Sequence, residues 1–338
     1  MSGVRWLDAP SWRDALDRLG PSDVYFSPDY HLLHERNGDG RAVCAAIDLA
    51  GGSQLLVPGL RVPLSGGAAD LQSCNGYGGP LAPASSDRSA LELAWSSWRE
   101  AARGDGIVAA MFRLHPILDN RVWLPDAAIV RRERSTALVD LKDGAEAAWR
   151  TADSRHRNMV NKGRRANVAV TWNTDDGWDA FVALYRAAMT RLNAPSSLRF
   201  SDDYFAAIRM LPGCEVAILE DEHGPAAGAL FLFGSRFAHY HLAARRSDAP
   251  NHAANLVLQS AIERASERGL EGLHLGGGTT NDPEDPLLRF KRSIGGTLLD
   301  FHVALVVADE VAYAALLAQW TARTGAVPTW LLGYRQPF

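Results

Sequence analysis

The sequence predicts an α/β protein of two tandem units, each a mixed β-sheet flanked by helices, and three observations carry that prediction. The chain has 338 residues, about twice the length of a common single domain. Hydrophobic residues make up 47% and charged residues 22%, which supplies apolar side chains for two cores and excludes disordered and fibrous classes. Two stretches far apart in the chain run through the same order of strand, strand, helix, strand. Their closing phrases, WREAARGDGIVAAMFRL and IERASERGLEGLHL, share a helix, a glycine stop and an apolar strand.

In the first stretch, AVCAAIDL and SQLLVPGLRV read as the strands of a hairpin, each being short, apolar and bounded by turn residues. The segment from Asp87 to Arg103 repeats apolar residues at helical spacing, and GIVAAMFRL returns as a strand. In the second stretch CEVAILED, AAGALFLF and FAHYHLAA read as three strands, followed by a helix near His252 to Arg268 and the strand GLEGLHL. Between the two lie a basic helical segment, 144–165, and a helix from Gly177 to Leu192. The latter carries Phe181, Leu184, Tyr185, Ala188 and Leu192 on one core-facing stripe. The last segment, FHVALVVADEVAYAALLAQWTARTG, is a strand and a helix left over once the second unit is full. It is therefore assigned to the first unit, giving 1–145 plus 304–338 as one domain and 146–303 as the other.

Charge and cysteine content narrow the function. A net charge of −4, from 35 basic and 39 acidic residues, argues against a DNA-coating protein and leaves a local basic groove open. Cys44, Cys74 and Cys214 are far apart and form no CxxC, so neither a disulfide framework nor a cysteine zinc site is indicated, and a reducing cytoplasm is expected. The N-terminal MSGVRWLDAPSWRD lacks the apolar run of a secretory signal, and no apolar window is long enough to span a membrane. GxSxG, HExxH and GxxxxGK[ST] are all absent. The pairs His31/His34 and His239/His241 have no partner carboxylates or thiols at ligand spacing, so no metal is expected.

The segment LHLGGGTTNDPEDPLLRFKRSIGG, 273–296, is the most informative. A strand runs into Gly276, Gly277 and Gly278, which permit positive φ and close approach of a backbone or a ligand. One reading of the residues after these glycines is a tight turn with a solvated basic strand edge. The other places Lys291 at the mouth of a cleft, held there by a buried Phe290, where a cation meets a phosphate or a developing oxyanion. A second cluster, Arg155, Arg157, Lys162, Arg164 and Arg165, is either a solvated helix face or a phosphate-tracking surface. Arg155, Asn158, Lys162 and Arg165 share one face by their spacing.

These pieces together resemble the Fem-type (FemABX-like) aminoacyltransferases, a family of tandem GNAT-like, that is acyl-CoA N-acyltransferase-like, domains. The resemblance rests on LGGG followed by LLRFKRSIGG, and on NGYGGPLAP at 75–83, FRLHP at 112–116, SRHRNMVNKGRRA at 154–166, LYRAAMTRLNAPSSLRFSDDYF at 184–205 and HYHLAARR at 239–246. It covers most of the chain and matches the short type without a coiled-coil arm. It implies transfer of an amino acid from aminoacyl-tRNA to an amine of a peptide, peptidoglycan precursor, nucleoside peptide or amino sugar. The first domain would then lie on the acceptor side and the second on the donor and catalytic side.

By the same resemblance Lys291 and Phe290 are the catalytic pair, with Lys291 at the terminal adenosine of the donor. Arg199, Tyr204, Tyr240 and Tyr77 contact the acceptor, and Arg155, Arg157, Lys162, Arg165 and Arg292 contact the tRNA. The expected partners are aminoacyl-tRNA as co-substrate, without a further cofactor, and a small peptide or sugar-peptide acceptor. DNA and a membrane span are not expected, and the chain is taken as a monomer. One departure stands out: where compact members carry a tryptophan and lysine pair, VYFSPDYHLLHERNG offers Tyr30, His34 and Arg36, which weakens the case for a UDP-linked acceptor.

The alternative is an acyl-CoA-dependent N-acyltransferase of the same fold. GNAT proteins bind the CoA pyrophosphate on backbone N–H groups of a glycine-rich turn that opens the helix after the fourth strand. The corresponding stretch RRSDAPNHAAN, 245–255, has no glycine, and Pro250 lacks an N–H. In the first unit GGPLAPASSDRSA has two glycines and two prolines.

Overall fold

A computed structural model describes residues 3–20 and 22–337. Residues 1, 2, 21 and 338, all within the first predicted domain, lie outside the described residues. The chain divides into unit 1, Met1–Glu133 with Phe301–Phe338, and unit 2, Arg134–Asp300.

From the N-terminus come β1 (Val4–Trp6), α1 (Ala9–Leu19), α2 (Pro28–Arg36), β2 (Arg41–Asp48), β3 (Gln54–Pro63), β4 (Ala69–Gln72), α3 (Arg88–Gly104) and β5 (Ile107–Arg113). Next are β6 (Ile129–Asp140), α4 (Gly144–Thr151), α5 (Ser154–Arg165), β7 (Val170–Trp172), α6 (Asp175–Arg191) and α7 (Asp202–Arg209). Then come β8 (Cys214–Asp221), β9 (Gly224–Phe233), β10 (Phe237–Arg245), α8 (Ala253–Glu267), β11 (Gly272–Gly277) and α9 (Pro286–Ser293). Finally β12 (Thr297–Val307) and α10 (Glu310–Thr324) complete the chain.

In unit 1 the strand order is β1-β2-β3-β4-β5-β12. Neighbours are antiparallel except β4 and β5, which run parallel and are joined by the crossover helix α3. Asp87 caps α3 by accepting from the N–H groups of Ser89 and Ala90. The helix buries Leu91, Ala94, Trp95, Trp98 and Ala102 on one stripe, against Leu55, Val57, Leu71, Phe112 and Ala304. A smaller cluster of Trp12, Leu16 and Phe26 covers Cys44, Ala46 and Leu56, because alternate residues of β2 and β3 face opposite sides of the sheet.

Unit 2 repeats the plan with the order β7-β8-β9-β10-β11-β6. Again one neighbouring pair, β10 and β11, is parallel, and α8 crosses between its strands. Nine residues of α8 are buried, Asn255 and Gln259 among them, and the core it packs in includes Ala217, Phe231, Ala238, Leu273 and Leu275. The sixth strand of unit 2, β6, precedes the rest of its unit, whereas the sixth strand of unit 1, β12, comes after unit 2 in the chain. The first unit is therefore completed from the C-terminal end.

Several expectations need correction. The division falls at 133/134 and 300/301 rather than 145/146 and 303/304, because β6 pairs with β11 and buries Ala137 and Val139, with Leu141 just after the strand, in the core of unit 2. The basic segment 144–165 is two helices, broken where Ala152 leaves helical geometry and Asp153 takes the N-cap position of α5. Leu192 ends α6 and is 63% exposed, so the core stripe stops at Ala188. Unit 1 has two further strands before its crossover helix, the three-residue β1 and the four-residue β4, both too short to register as a period in the sequence. Residues 286–293 form a helix, not a strand edge.

Candidate functional site

The site of unit 2 begins where two parallel strands part. β10 and β11 pair at Phe237 with Gly272, Ala238 with Leu273 and His239 with His274. Beyond that point each strand is bulged, β10 between Tyr240 and Leu242 against β9, and β11 between His274 and Gly276 against β6. A bulge bends its strand and re-aims the next side chains, so the two bulges open a wedge between the C-terminal ends of β10 and β11. Gly276 has φ +71°, a left-handed conformation in which a Cβ is strained.

Into this wedge α9 delivers Lys291. Pro286 occupies the first turn of α9 and Asp285 its N-cap, the order that favours a helix start. Helical spacing puts Leu288, Lys291 and Ile294 on one inward face, and all three are buried. The burial expected of Phe290 therefore belongs to Lys291: Phe290 is half-buried against the unit 2 core, and Lys291 is 6% exposed. Its Nζ donates to the Gly277 carbonyl oxygen at 2.7 Å and lies 5.7 Å from the centre of the Tyr240 ring, a cation–π distance. Burial pushes the Lys291 amine down to about 8, while the Asp285 carboxylate acts to raise it.

Asp285 itself was not singled out by sequence. Burial acts to raise its pKa, but hydrogen bonds outweigh that, led by the Thr279 hydroxyl, and hold the carboxyl well below the usual range. Gly278 is required beside it, since a Cβ there would collide with Asp285 Oδ1. The signal was present as an Asp-Pro pair ahead of Leu287 and Leu288, a helix start in the middle of what reads as a polar loop.

The other expected residues are spread over several elements. Tyr240, on the bulge of β10, packs on the unit 2 core, and burial pushes its hydroxyl pKa up. Tyr204 on α7 is 1% exposed, stacks on Phe200 at 4.0 Å and shares a 3.0 Å hydrogen bond with His241 Nε2. It therefore reaches the bulge through the residue next to Tyr240. Arg199 is exposed and donates from Nε to the Ala194 carbonyl, which fixes its loop. In unit 1 Tyr77 packs edge-on against Tyr25 and Phe301 at 5.5 and 5.4 Å.

On α5, Arg155, Lys162 and Arg165 are exposed, while Arg164 pairs with Glu263 at 2.6 Å. Arg157 departs from the expected tRNA contact, because it is half-buried and donates to the carbonyls of Arg150 and Ala152, closing the end of α4. Arg292 is exposed on α9. The structure thus brings Gly276, Gly277, Lys291, Tyr240 and, through His241, Tyr204 to the wedge, and keeps the α5 cations on a separate helix face.

At the start of α8, where a GNAT protein holds pyrophosphate, two backbone N–H groups are used within the chain. Ala249 N–H donates to the Arg246 carbonyl and Ala253 N–H to the Pro250 carbonyl, and the N-cap His252 makes no side-chain cap. The Arg246 guanidinium ties the turn to Asp221, Asp248, Gly224 and Pro225.

Comparison with known proteins agrees with this architecture. Residues 152–292 match the Acetyltransferase (GNAT) domain family. The solved structure of FemX is 12% identical, with 93% of this chain and 99% of that chain covered and a TM-score of 0.71. L-PGS from Bacillus licheniformis is 14% identical, with 88% and 91% covered and a TM-score of 0.57. The C-terminal domain of a putative lysylphosphatidylglycerol synthetase from Agrobacterium fabrum is 17% identical, with 93% and 96% covered and a TM-score of 0.56. No curated protein sequence matches the chain. In fold the chain is thus similar to FemX, and the segment that matches the GNAT family lies in its second unit.

Proposed function

We propose that the protein is an aminoacyltransferase that moves an amino acid from aminoacyl-tRNA to the amine of a small peptide, sugar-peptide or amino-sugar acceptor. The observation that carries the reading is the buried Lys291 ammonium at the mouth of the β10–β11 wedge. The acceptor nitrogen attacks the ester carbonyl of the donor, the C–N bond forms, and the C–O bond to the ribose breaks. The proton lost by the amine balances the one gained by the departing ribose hydroxyl. Such a reaction needs positioning and charge stabilisation rather than a protein nucleophile. The Lys291 ammonium, desolvated and poised to release a proton near neutral pH, suits both the oxyanion and the leaving oxygen.

The donor assignment is supported by the self-bonded turn before α8, which leaves Pro250 and spent N–H groups where pyrophosphate would lie, and by the exposed Arg155, Lys162 and Arg165 on α5. The match of 152–292 to the GNAT family favours the second reading, an acyl-CoA-dependent N-acyltransferase. For the acceptor, Tyr30 and His34 are buried inside unit 1, with Tyr30 donating to the Asn75 carbonyl and His34 bound to Asp39. That supports an acceptor smaller than a UDP-linked muramyl peptide. Among the described residues no helix is long and apolar enough to cross a membrane. The three cysteines are free thiols, in keeping with a reducing compartment, and the chain is read as a monomer.

The deciding experiment measures binding of a non-hydrolysable aminoacyl-tRNA minihelix and of acetyl-CoA across a salt series, with Lys291→Ala alongside. Minihelix binding that weakens with salt and with the substitution, and no response to CoA, is the expected result. Saturable CoA binding without RNA affinity overturns the reading in favour of the acyl-CoA enzyme.

A further inference from the structure

The loop from Gly278 to Asp285 has the look of a phosphate cradle: glycines at the end of a strand, two threonines, and a helix start. Its donors are already occupied. Asp285 Oδ2 accepts from the Thr279 and Thr280 N–H groups at 3.1 and 3.0 Å and from their hydroxyls at 2.6 and 3.0 Å. Asp285 Oδ1 accepts from the N–H groups of Leu287 and Leu288 at 2.9 and 3.0 Å. Six donors on a carboxylate that is 2% exposed form a closed, charge-assisted knot. An ordinary N-cap satisfies one or two of the free N–H groups of its helix; here the carboxylate also binds both threonines of the incoming loop.

We infer that Asp285 is the positioning residue of the site: its carboxylate clamps the 279–280 loop to the first turn of α9 and so fixes the Lys291 ammonium against the Gly277 carbonyl. The inference rests on the reading of Lys291 as the reacting-centre cation, and it removes Gly278, Thr279 and Thr280 from any direct role at a donor phosphate. Lys291 lies two helical turns from Asp285, so a loosened first turn moves the ammonium relative to Tyr240 and Gly277. The carboxylate also supplies a negative charge that helps Lys291 keep its proton. The other groups on these elements are Tyr240 on β10, Arg134 on β6, whose guanidinium donates to the Gly278 carbonyl, the exposed Arg292 on α9, and the exposed Arg289, which lies 3.9 Å from Glu284 of the loop.

The chain is favourable for a direct test because it contains three lysines, Lys142, Lys162 and Lys291. In protein carrying 13C-labelled lysine, Lys291 is assigned by the signal lost in Lys291→Arg, and its titration is followed in wild type and in Asp285→Ser. Serine keeps an N-cap acceptor and removes the charge and the loop clamp, so a purely capping role is rescued by it. The expected result is a Lys291 midpoint lower in Asp285→Ser than in wild type, together with a loss in kcat approaching about 100-fold and a donor KM that changes little. The alkaline limb of kcat moves to lower pH with it. An unchanged Lys291 midpoint and unchanged kcat in folded Asp285→Ser overturn the inference. Asp285→Asn, nearly isosteric, is the second variant if the serine protein does not fold. If wild type transfers no aminoacyl group, the reading of function fails, and the titration alone still decides whether Asp285 governs Lys291.

Discussion

Lys291 Nζ donates to the Gly277 carbonyl at 2.7 Å, so the helix α9 is tied back to the end of the strand from which its own loop departs. The bond is made by a desolvated ammonium, and desolvation is the main cause of its lowered pKa. In the unfolded chain a lysine holds its proton to about pH 10.4, whereas the folded protein releases it near 8. Between those values the unfolded state binds more protons, so stability rises with pH across that window and the cost is fully present below it. Lys291→Met removes the buried charge and also leaves the Gly277 carbonyl without its donor. The variant is expected to be more stable than wild type at pH 7 by about 1–2 kcal/mol, with the gap closing towards pH 10. Denaturant melts of both proteins at pH 7, 8.5 and 10 check it, and a gap independent of pH speaks against a lowered lysine.

The turn before α8 makes a separate prediction about CoA. A GNAT-type pyrophosphate site needs several N–H groups directed at one point. Here Ala249 and Ala253 spend theirs on carbonyls within the turn, and Arg246 locks the same turn through Asp221. Acetyl-CoA is therefore expected to leave Tm unchanged at concentrations where a micromolar ligand would add a few kcal/mol. Arg246→Ala, which releases the turn, is expected to destabilise unit 2 without creating CoA affinity, because Pro250 still lacks an N–H. A CoA-induced rise in Tm of wild type contradicts both statements.

The parts of the molecule legible in sequence were those with a long period. The stripe at Leu91, Ala94, Trp95 and Trp98 and the apolar runs of β8, β9 and β10 declared the two α/β units. What escaped was short or depended on a single capping residue. The strand β4 has four residues, too few to show alternation. In 286–293 the helix is announced by Asp285 and Pro286 alone; without it, the basic run reads as a strand edge and Phe290 looks like the buried member of the pair. Once the segment is helical, the three-residue spacing of Leu288, Lys291 and Ile294 places the lysine inside. Arg157 shows a different limit. It differs in no sequence property from Arg155, and only the end of α4, whose carbonyls lie beside it, turns it into a structural tie.

That difference within α5 gives a prediction for nucleic-acid binding. Each phosphate contact by a cation contributes about 0.7–0.9 to the slope of log affinity against log salt. Arg155→Ala, Lys162→Ala and Arg165→Ala, all at exposed positions, are each expected to lower that slope by nearly one contact for a tRNA minihelix. Arg164→Ala is expected to lower it much less, since its guanidinium faces Glu263 at 2.6 Å. Arg157→Ala is expected to act on stability instead, by leaving the carbonyls of Arg150 and Ala152 without a donor. Titrations at four salt concentrations separate these cases, and an equal response from all five variants would falsify the assignment of a binding face.

Unit 1 holds its C-terminal segment through a buried clasp. Asp70 on β4 is fully buried, and its carboxylate accepts from the Tyr334 hydroxyl at 2.8 Å and from Arg335 Nε at 2.5 Å. The same guanidinium donates to the carbonyls of Val62 and Pro63 on β3. Burial pushes the Asp70 pKa up even with these partners present, so removing the arginine leaves a desolvated carboxylate supported by Tyr334 and the Ala109 N–H. Arg335→Ala is expected to cost about 3 kcal/mol, and Tyr334→Phe about 1 kcal/mol. In Arg335→Ala the folded state then holds the Asp70 proton to higher pH than the unfolded chain does. Its deficit should therefore shrink as the pH is lowered towards 4, beginning at a higher pH than for the loss of an ordinary surface ion pair, whose carboxylate takes up its proton only in or below the usual range. Adding Asp70→Asn to Arg335→Ala should recover part of the loss, because the double variant no longer buries a charge. A double variant less stable than Arg335→Ala would mean that Asp70 contributes through hydrogen bonds to the backbone rather than through the clasp with the tail.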